Sequence, residues 1–296
     1  MTVTVQTDQE AKAQIVAALK DRLSDRLLAV VLFGSRARGM ARQDSDWDVL
    51  VIASGLPEEP YERLRMLSTA RPNTVPDVVI VLRDLETFTH SLQSLSLDLA
   101  LDGEILYDPQ GVAGRRLAAL RRLIRAEGLR RKHTPAGDLW TWREPPADWP
   151  SWRGRLELTD DPEYRSDLAT RHLAEAQKLF GLEMWSSSVD HSQMSAENVA
   201  KAVLALVGPV GRTHEPGLVL QALIGDGRFP SAVVPRVQRL AECARLLGSE
   251  IHMFAAYGDE EKRLTPWDLF AEDRARELLD LAEEAVHIAQ ELVATP

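Results

Sequence analysis

Residues 32–52, LFGSRARGMARQDSDWDVLVI, constrain the fold more than any other part of the sequence. A polar stretch joins two apolar runs, and Asp46 and Asp48 lead directly into the second run. Aspartate is a poor strand former, and a carboxylate at the start of a buried strand costs free energy unless something binds it. A simple turn between two strands does not need these carboxylates. The segment therefore predicts two buried strands with a ligand site where they meet.

The surrounding pattern predicts an α/β domain. Apolar side chains recur at helical spacing over residues 8–27, and two apolar runs at 27–33 and 47–53 are typical of buried strands. A further helix precedes a third apolar run at 76–82. Because strands and helices alternate, we expect an α/β (α+β) domain over residues 1–111.

The rest of the chain predicts a linker followed by an all-α helical bundle. Residues 115–132 are rich in arginine and have a helical pattern, whereas residues 133–163 contain five prolines and four tryptophans. We assign residues 112–163 to an arginine-rich helix and a Trp/Pro-rich linker. Because tryptophan is rarely left in water, the linker is expected to pack on a domain surface. Residues 164–296 carry apolar side chains at three- and four-residue spacing, which predicts the bundle.

Composition excludes several classes of protein. The net charge of -10 argues against broad, salt-driven binding of nucleic acid. The single cysteine, Cys243, allows neither an intrachain disulfide nor a cysteine-based metal cluster. We find no signal-peptide pattern and no apolar run of about 18 residues, so we expect a cytoplasmic protein without a membrane partner.

The aspartate pair predicts a divalent cation site. On a strand, Asp46 and Asp48 point to the same face, and Trp47 points to the other. Two adjacent carboxylates repel each other unless a cation lies between them. Hard oxygen ligands suit Mg²⁺, which commonly binds one or two carboxylates together with phosphate oxygens of the substrate.

The residues between the two runs predict a phosphate site. Gly34 and Ser35 end the first strand where a short helix can begin, and the N–H groups of a helix N-terminus suit a phosphate. Arg36 and Arg38 add cationic donors. A P-loop is excluded because Met40 stands where lysine is required. An EF-hand is excluded in the same way, since its sixth position needs glycine.

These motifs resemble the signature of the polymerase-β-like nucleotidyltransferases, and GSRARG followed by DSDWDVLV is most similar to the minimal nucleotidyltransferase (MNT) branch. The resemblance implies a mixed sheet and two Mg²⁺ ions, bound by three catalytic carboxylates. It also implies that an acceptor hydroxyl attacks the α-phosphorus of a nucleoside triphosphate and that pyrophosphate leaves. The implied catalytic and metal-binding residues are Asp46, Asp48 and Asp77. The implied nucleotide-binding residues are Gly34, Ser35, Arg36, Arg38 and Ser45.

The helical half resembles a HEPN domain, a small bundle often found beside MNT proteins. The motifs lie in residues 190–207 and 212–216, and the resemblance covers about residues 164–295. Many HEPN domains are metal-independent ribonucleases that use an arginine and a histidine. Arg245 and His252 have that spacing, and we expect both on one face of a single helix.

Two further features of this half concern its tyrosines and its histidines. Within HEPN toxins, a tyrosine two residues after the histidine receives AMP, but Phe254 stands there and the nearest tyrosine is Tyr257. The remaining histidines of the bundle do not have the spacing of a zinc site, so we expect structural roles for them.

Together, these resemblances imply an Mg²⁺-dependent nucleotidyltransferase that transfers AMP from ATP, or another nucleoside triphosphate, to a protein hydroxyl, as in MNT–HEPN toxin–antitoxin pairs. Three alternatives stay open: a small-molecule transferase of the aminoglycoside type, a HEPN ribonuclease regulated by its fused neighbour, and a nucleotide-binding sensor. RNA is a less favoured partner, and a homo-oligomer is allowed. A polycationic small molecule would need an acidic cleft, for which the candidates are Glu157, Asp160, Asp161, Glu183 and Asp190.

Overall fold

The computed structural model describes residues 7–42, 45–68, 75–134, 137–143, 162–210 and 213–294. The chain divides into two compact units, Met1–Glu127 and Gly128–Pro296. No helix among the described residues is long and apolar enough to span a membrane.

The first unit contains four strands and six α-helices among its described residues. In chain order they are α1 (Asp8–Leu23), β1 (Leu27–Phe33), α2 (Gly34–Ala37), β2 (Trp47–Ala53), α3 (Pro60–Ser68), β3 (Val78–Asp84), α4 (Leu85–His90), α5 (Ser94–Asp102), β4 (Glu104–Tyr107) and α6 (Val112–Ala126). The sheet order is β3-β2-β1-β4. β1 pairs antiparallel with β2 and β4, and β2 pairs parallel with β3, which confirms the predicted mixed sheet.

Apolar burial fixes the register of the two central strands. Every residue of β1 is buried, and so is every residue of β2 except Asp48, which is half-buried. One face of the sheet packs against α1, whose Ile15 and Leu19 form a core cluster with Leu32 and Trp47. A slip of one residue would turn each strand's side chains to the opposite face. The start of β2 is therefore held at one defined position.

The arginine-rich helix is shorter than predicted. α6 ends at Ala126, and the chain then turns into a strand at Leu129. α6 packs against α5 and β1, and two of its arginines donate hydrogen bonds to backbone carbonyls of the same unit: Arg116 to Ser91 (3.1 Å) and Arg121 to Ala100. These contacts hold α6 against the sheet.

The second unit begins with a hairpin that the sequence did not predict. β5 (Leu129–Thr134) pairs antiparallel with β6 (Gly137–Trp142). Trp140 and Trp142 are buried, and the backbone carbonyl of Trp142 accepts a hydrogen bond from Arg228 (3.2 Å). Two of the four tryptophans of the predicted linker thus pack within this unit. Trp149 and Trp152 lie outside the described residues.

The rest of the second unit is helical, as predicted. Its described helices are α7 (Pro162–Gly181), α8 (Trp185–Val207), α9 (Pro216–Gly225), α10 (Val234–Leu246), α11 (Ser249–Tyr257), α12 (Pro266–Leu269) and α13 (Glu272–Ala294). α8 is the central helix and packs against α7, α13, α9, α10 and α11. One contiguous apolar core joins these helices, and Leu139 of the hairpin belongs to it.

Candidate active site

Gly34 and Asp48 meet where β1 ends and β2 begins. The antiparallel register places Phe33 opposite Asp48, so Gly34 follows immediately beside the carboxylate. A β-carbon at Gly34 would overlap the Asp48 carboxylate, and the φ of Gly34 is +75°. Side chains strain a backbone in this left-handed region. Glycine is therefore required here both for the backbone conformation and for the close approach of the carboxylate.

The other two predicted carboxylates lie at the same end of the sheet. The Trp47 N–H donates to the Asp77 carbonyl (2.9 Å), and Trp47 pairs with Val78 in the parallel register. Asp46 and Asp77 therefore precede adjacent strands at equivalent positions, and both are exposed. Asp77 has a φ of +56°, so its side chain does not follow the alternation of β3. In the part of the chain that the structure describes, no three acidic, histidine or cysteine side chains converge as metal ligands.

Without a third residue, Asp46 and Asp48 already supply oxygen donors of the kind that Mg²⁺ prefers. Two carboxylates are also the usual number of protein ligands for an Mg²⁺ that carries substrate phosphates. The carboxylate of Asp48 occupies the space that a β-carbon would fill at Gly34, so the glycine brings it against the first turn of α2. The residues present thus fit a cation shared between the carboxylates and a nucleotide.

Arg36 does not point its guanidinium into open space. Its Nε and Nη2 donate to the carbonyl of Ser45 (3.0 and 2.6 Å), and its guanidinium carbon lies 4.2 Å from the centroid of the Trp47 ring. Nη1 is 3.6 Å from the Asp8 carboxylate, and the side chain is 11% exposed. Arg36, predicted to bind phosphate, instead contacts the segment that leads into β2.

Arg38 is the C-cap residue of the same one-turn helix, and its guanidinium contacts a different part of the unit. Its Nη1 is 3.7 Å from the Asp102 carboxylate at the end of α5, and its side chain is 27% exposed. Its Nε is buried and has no hydrogen-bond partner among the described residues. Arg38 is therefore the cation of this turn whose hydrogen bonding is incomplete.

The two predicted serines both take part in turns. The carbonyl of Ser35 accepts the Met40 N–H (2.9 Å), which closes the turn after α2. The Ser45 hydroxyl accepts the Arg42 N–H (2.9 Å), and the Ser45 N–H donates to the Arg42 carbonyl (3.1 Å). The Ser45 side chain thus shapes the approach to Asp46.

Arg245 and His252 lie on two helices, so the expectation of a single helix is wrong. Arg245 is in the last turn of α10, which ends at Leu246, whereas His252 is on α11. Between them, Gly248 is the N-cap of α11, and the Glu215 carboxylate accepts the Ser249 N–H (3.2 Å). This capping satisfies a backbone donor that a continuous helix would have paired internally.

His252 instead belongs to a group of titratable side chains from three helices. Its Nδ1 lies 3.0 Å from the Asp190 carboxylate of α8, and His252 is 42% exposed. His191 follows Asp190 on α8, and its Nδ1 lies 3.2 Å from the Nδ1 of His172 on α7. Burial, and then the charge of His191, lower the pKa of His172. Sequence reasoning missed this group because His172 and His252 lie far along the chain from the adjacent residues Asp190 and His191.

Comparison with known proteins identifies both halves. The family model described as polymerase beta nucleotidyltransferase matches residues 13–106, and the HEPN domain model matches residues 163–292. The chain carries a nucleotidyltransferase domain and a HEPN domain. A protein of Methanocaldococcus jannaschii, provisionally named a protein adenylyltransferase, is 46% identical over 48 residues. That match covers 16% of this chain, and it spans only about a third (33%) of the relative.

Solved structures give weaker likenesses. A toxin–antitoxin crystal structure with AMP-PNP matches 39% of this chain and 91% of its own, at 22% identity and a TM-score of 0.30. The match with the MntA–HepT toxin–antitoxin structure covers 40% of this chain and 92% of that chain, at 19% identity and a TM-score of 0.28. A third match is the structure of spectinomycin adenyltransferase AAD(9) from Enterococcus faecialis with ATP and spectinomycin. It covers 94% of this chain and 100% of that chain, at 11% identity and a TM-score of 0.33.

Proposed function

We propose that this nucleotidyltransferase transfers AMP from ATP to a hydroxyl group of a protein, with Mg²⁺ bound by Asp46 and Asp48. The observation that carries the proposal is the contact between Gly34 and the Asp48 carboxylate. It joins a glycine turn suited to phosphate and a carboxylate suited to a cation at one end of the sheet. A cytoplasmic location, expected from the sequence, would supply both ATP and Mg²⁺.

In the proposed reaction, the nucleotide binds with its triphosphate between the α2 turn and the two carboxylates. Ser35, Arg38 and the N–H groups of the first turn of α2 bind the outer phosphates. When bound, Mg²⁺ would neutralise the negative charge that develops on the phosphate oxygens. Asp77 directly precedes β3, the strand that pairs with β2, and is the third carboxylate of the proposed site.

The bond changes are those of an in-line displacement. The acceptor hydroxyl oxygen forms a bond to the α-phosphorus, and the bond between that phosphorus and the pyrophosphate oxygen breaks. The hydroxyl proton passes to a base, and pyrophosphate leaves. The exposed carboxylate of Asp77 lies at the same end of the sheet and is the candidate base.

A protein acceptor is preferred over a small molecule because of the curated relative, which is provisionally named a protein adenylyltransferase. An acidic cleft for a polycation has less support. Asp190 has a partner in His252, and Glu183 is exposed. The other three acidic candidates, at 157, 160 and 161, lie outside the described residues. Ribonuclease activity is not part of the proposal, since Arg245 and His252 lie on separate helices.

The test is to incubate the protein and Mg²⁺ with each of the four nucleoside triphosphates labelled at the α-phosphate. Acceptors are the protein itself, a bacterial lysate and an aminoglycoside. We expect label from ATP on a protein band, and its loss with Asp48→Asn. Label on the aminoglycoside alone would make the protein acceptor wrong. Tight ATP binding without transfer to any acceptor would favour a nucleotide sensor.

A further inference from the structure

We infer that Arg36 is a positioning residue that fixes Asp46 for cation binding and does not itself bind the nucleotide. The inference rests on the proposed function, because it assigns a role relative to the cation site. It reverses the prediction from sequence, which grouped Arg36 with the phosphate ligands. Three observations carry it: the contacts of Arg36 on both sides of Asp46, its burial, and the contrast with Arg38.

The contacts of Arg36 enclose Asp46 along the chain. The Ser45 carbonyl, which accepts from both Nε and Nη2, belongs to the peptide bond that joins Ser45 to Asp46. The Trp47 ring, over which the guanidinium stacks, follows Asp46 directly. Arg36 therefore restrains the residue before Asp46 through its backbone and the residue after it through its side chain. Asp46 itself is exposed and precedes β2, so the ladder of the sheet does not hold it.

Burial and hydrogen bonding leave Arg36 little capacity for a phosphate. Only 11% of its side chain is exposed, and its Nη1 faces the Asp8 carboxylate at 3.6 Å. To bind a phosphate through its Nε–Nη2 edge, the guanidinium would have to leave the Ser45 carbonyl, and the remaining nitrogen, Nη1, faces Asp8. An arginine suits this role because one planar group can stack on an aromatic ring and donate in its plane at the same time.

Arg38 shows what a nucleotide-binding arginine of this turn would look like. It is the C-cap of the same helix, is more exposed, and has a buried Nε without a partner among the described residues. Its ion pair with Asp102 is long at 3.7 Å. The structure therefore assigns different work to the two arginines: Arg36 holds the carboxylate segment, and Arg38 is left for the triphosphate.

The experiment compares Arg36→Lys with Arg38→Lys, since both substitutions keep the charge and remove the planar group. Mn²⁺ binding is measured without nucleotide, from the electron paramagnetic resonance signal of the free ion. The KM for ATP and kcat are measured at saturating metal. We expect Arg36→Lys to weaken Mn²⁺ binding about 10- to 100-fold, as loss of a residue that orients a metal ligand does, with KM nearly unchanged. Arg38→Lys should raise KM and leave Mn²⁺ binding unchanged.

Further variants separate the inference from the proposed function. Asp46→Asn should lose Mn²⁺ binding; if the wild type binds no Mn²⁺, the cation site and the role of Arg36 are both wrong. If Asp46→Asn loses the ion but Arg36→Lys binds it as the wild type does, the role of Arg36 alone is wrong. A raised KM for Arg36→Lys with normal Mn²⁺ binding would make Arg36 a nucleotide ligand.

Unfolding temperatures show whether Arg36→Lys is folded. Should it unfold, Trp47→Phe provides the second measurement, because it weakens the stacking and keeps the hydrogen bonds to Ser45. We expect a smaller loss of Mn²⁺ affinity from this variant, in the same direction. Unchanged affinity in folded Trp47→Phe would contradict the inference.

Discussion

Residue spacing contributed to the prediction of two sites, and the structure treats the two residue pairs differently. Gly34 and Asp48, in the nucleotidyltransferase domain, are in contact. Arg245 and His252, in the HEPN domain, are closer along the chain but lie on separate helices. Two buried strands flank the loop between the first pair, and their register places Phe33 opposite Asp48. Between the second pair, a cap at Gly248 ends one helix and starts another.

The comparison shows when a spacing is informative. β1 and β2 are buried almost throughout, so a shift in their pairing would expose apolar side chains. The apolar pattern of the HEPN domain continues through Leu247, but Glu215, from another segment, caps α11. A residue spacing predicts geometry where the elements that flank it have one favourable pairing. It fails where a distant side chain decides whether a helix continues.

The largest expected effect tests the first pair at its carboxylates. Asp46→Asn or Asp48→Asn should lower the rate of AMP transfer about a hundredfold or more, because a bound metal contributes several kcal/mol to the transition state. Each rate is measured with labelled ATP and compared with that of Asp25→Asn, an exposed change on the surface. Wild-type rates in either variant would show that this aspartate belongs to a turn between strands and not to an active site.

A second substitution tests the contact itself. Gly34→Ala should lower the free energy of unfolding by about 1–3 kcal/mol, because alanine is strained at positive φ, and should also lower transfer by displacing the Asp48 carboxylate. Gly39→Ala is the matched control: its φ is +67°, but its β-carbon would meet nothing within 4 Å. It should share the loss of stability and keep the activity. Equal activity in the two variants would mean that the contact at Gly34 does not matter for transfer.

The second pair is tested by two double-mutant cycles, measured by chemical denaturation. His252 and Asp190, which are hydrogen bonded and partly exposed, should couple by about 0.5 kcal/mol. His252 and Arg245, which lie on separate helices, should couple by less than about 0.3 kcal/mol. Coupling of equal size in the two cycles would show that the two side chains act together despite the helix break at Gly248.

The smallest effect concerns the pH dependence of the HEPN domain. Because burial and His191 lower the pKa of His172, the folded protein binds fewer protons than the unfolded chain, whose histidine titrates near 6.5. The neutral His172 therefore contributes to the free energy of unfolding above about pH 6.5, and this contribution is lost as the pH falls through the lowered pKa of the folded protein. His172→Gln should therefore flatten the decline in unfolding temperature between about pH 7 and 5. His287→Gln, at a mostly exposed histidine, should leave the decline unchanged.

Strand positions in the nucleotidyltransferase domain could be predicted from the sequence. The runs at 27–33 and 47–53 coincide with β1 and β2, and the run at 76–82 overlaps β3. Such runs have few arrangements that bury them on both faces. The hairpin of β5 and β6 was missed, because β5 reads LRRKHT and has no apolar pattern of its own. Its place depends on the burial of Trp140 and Trp142 within the helical unit.

The sequence by itself indicated that the Gly34 turn and Asp48 lie at neighbouring strand ends, since the apolar strands that flank them leave few pairings that bury both. It could not determine what the two arginines of the same turn do, because both have the same chemistry and differ by two positions. That depends on what each faces across the fold: the Ser45 carbonyl and the Trp47 ring for Arg36, and the Asp102 carboxylate for Arg38. Only tertiary packing decides which charged groups are satisfied by the protein and which remain available to a ligand.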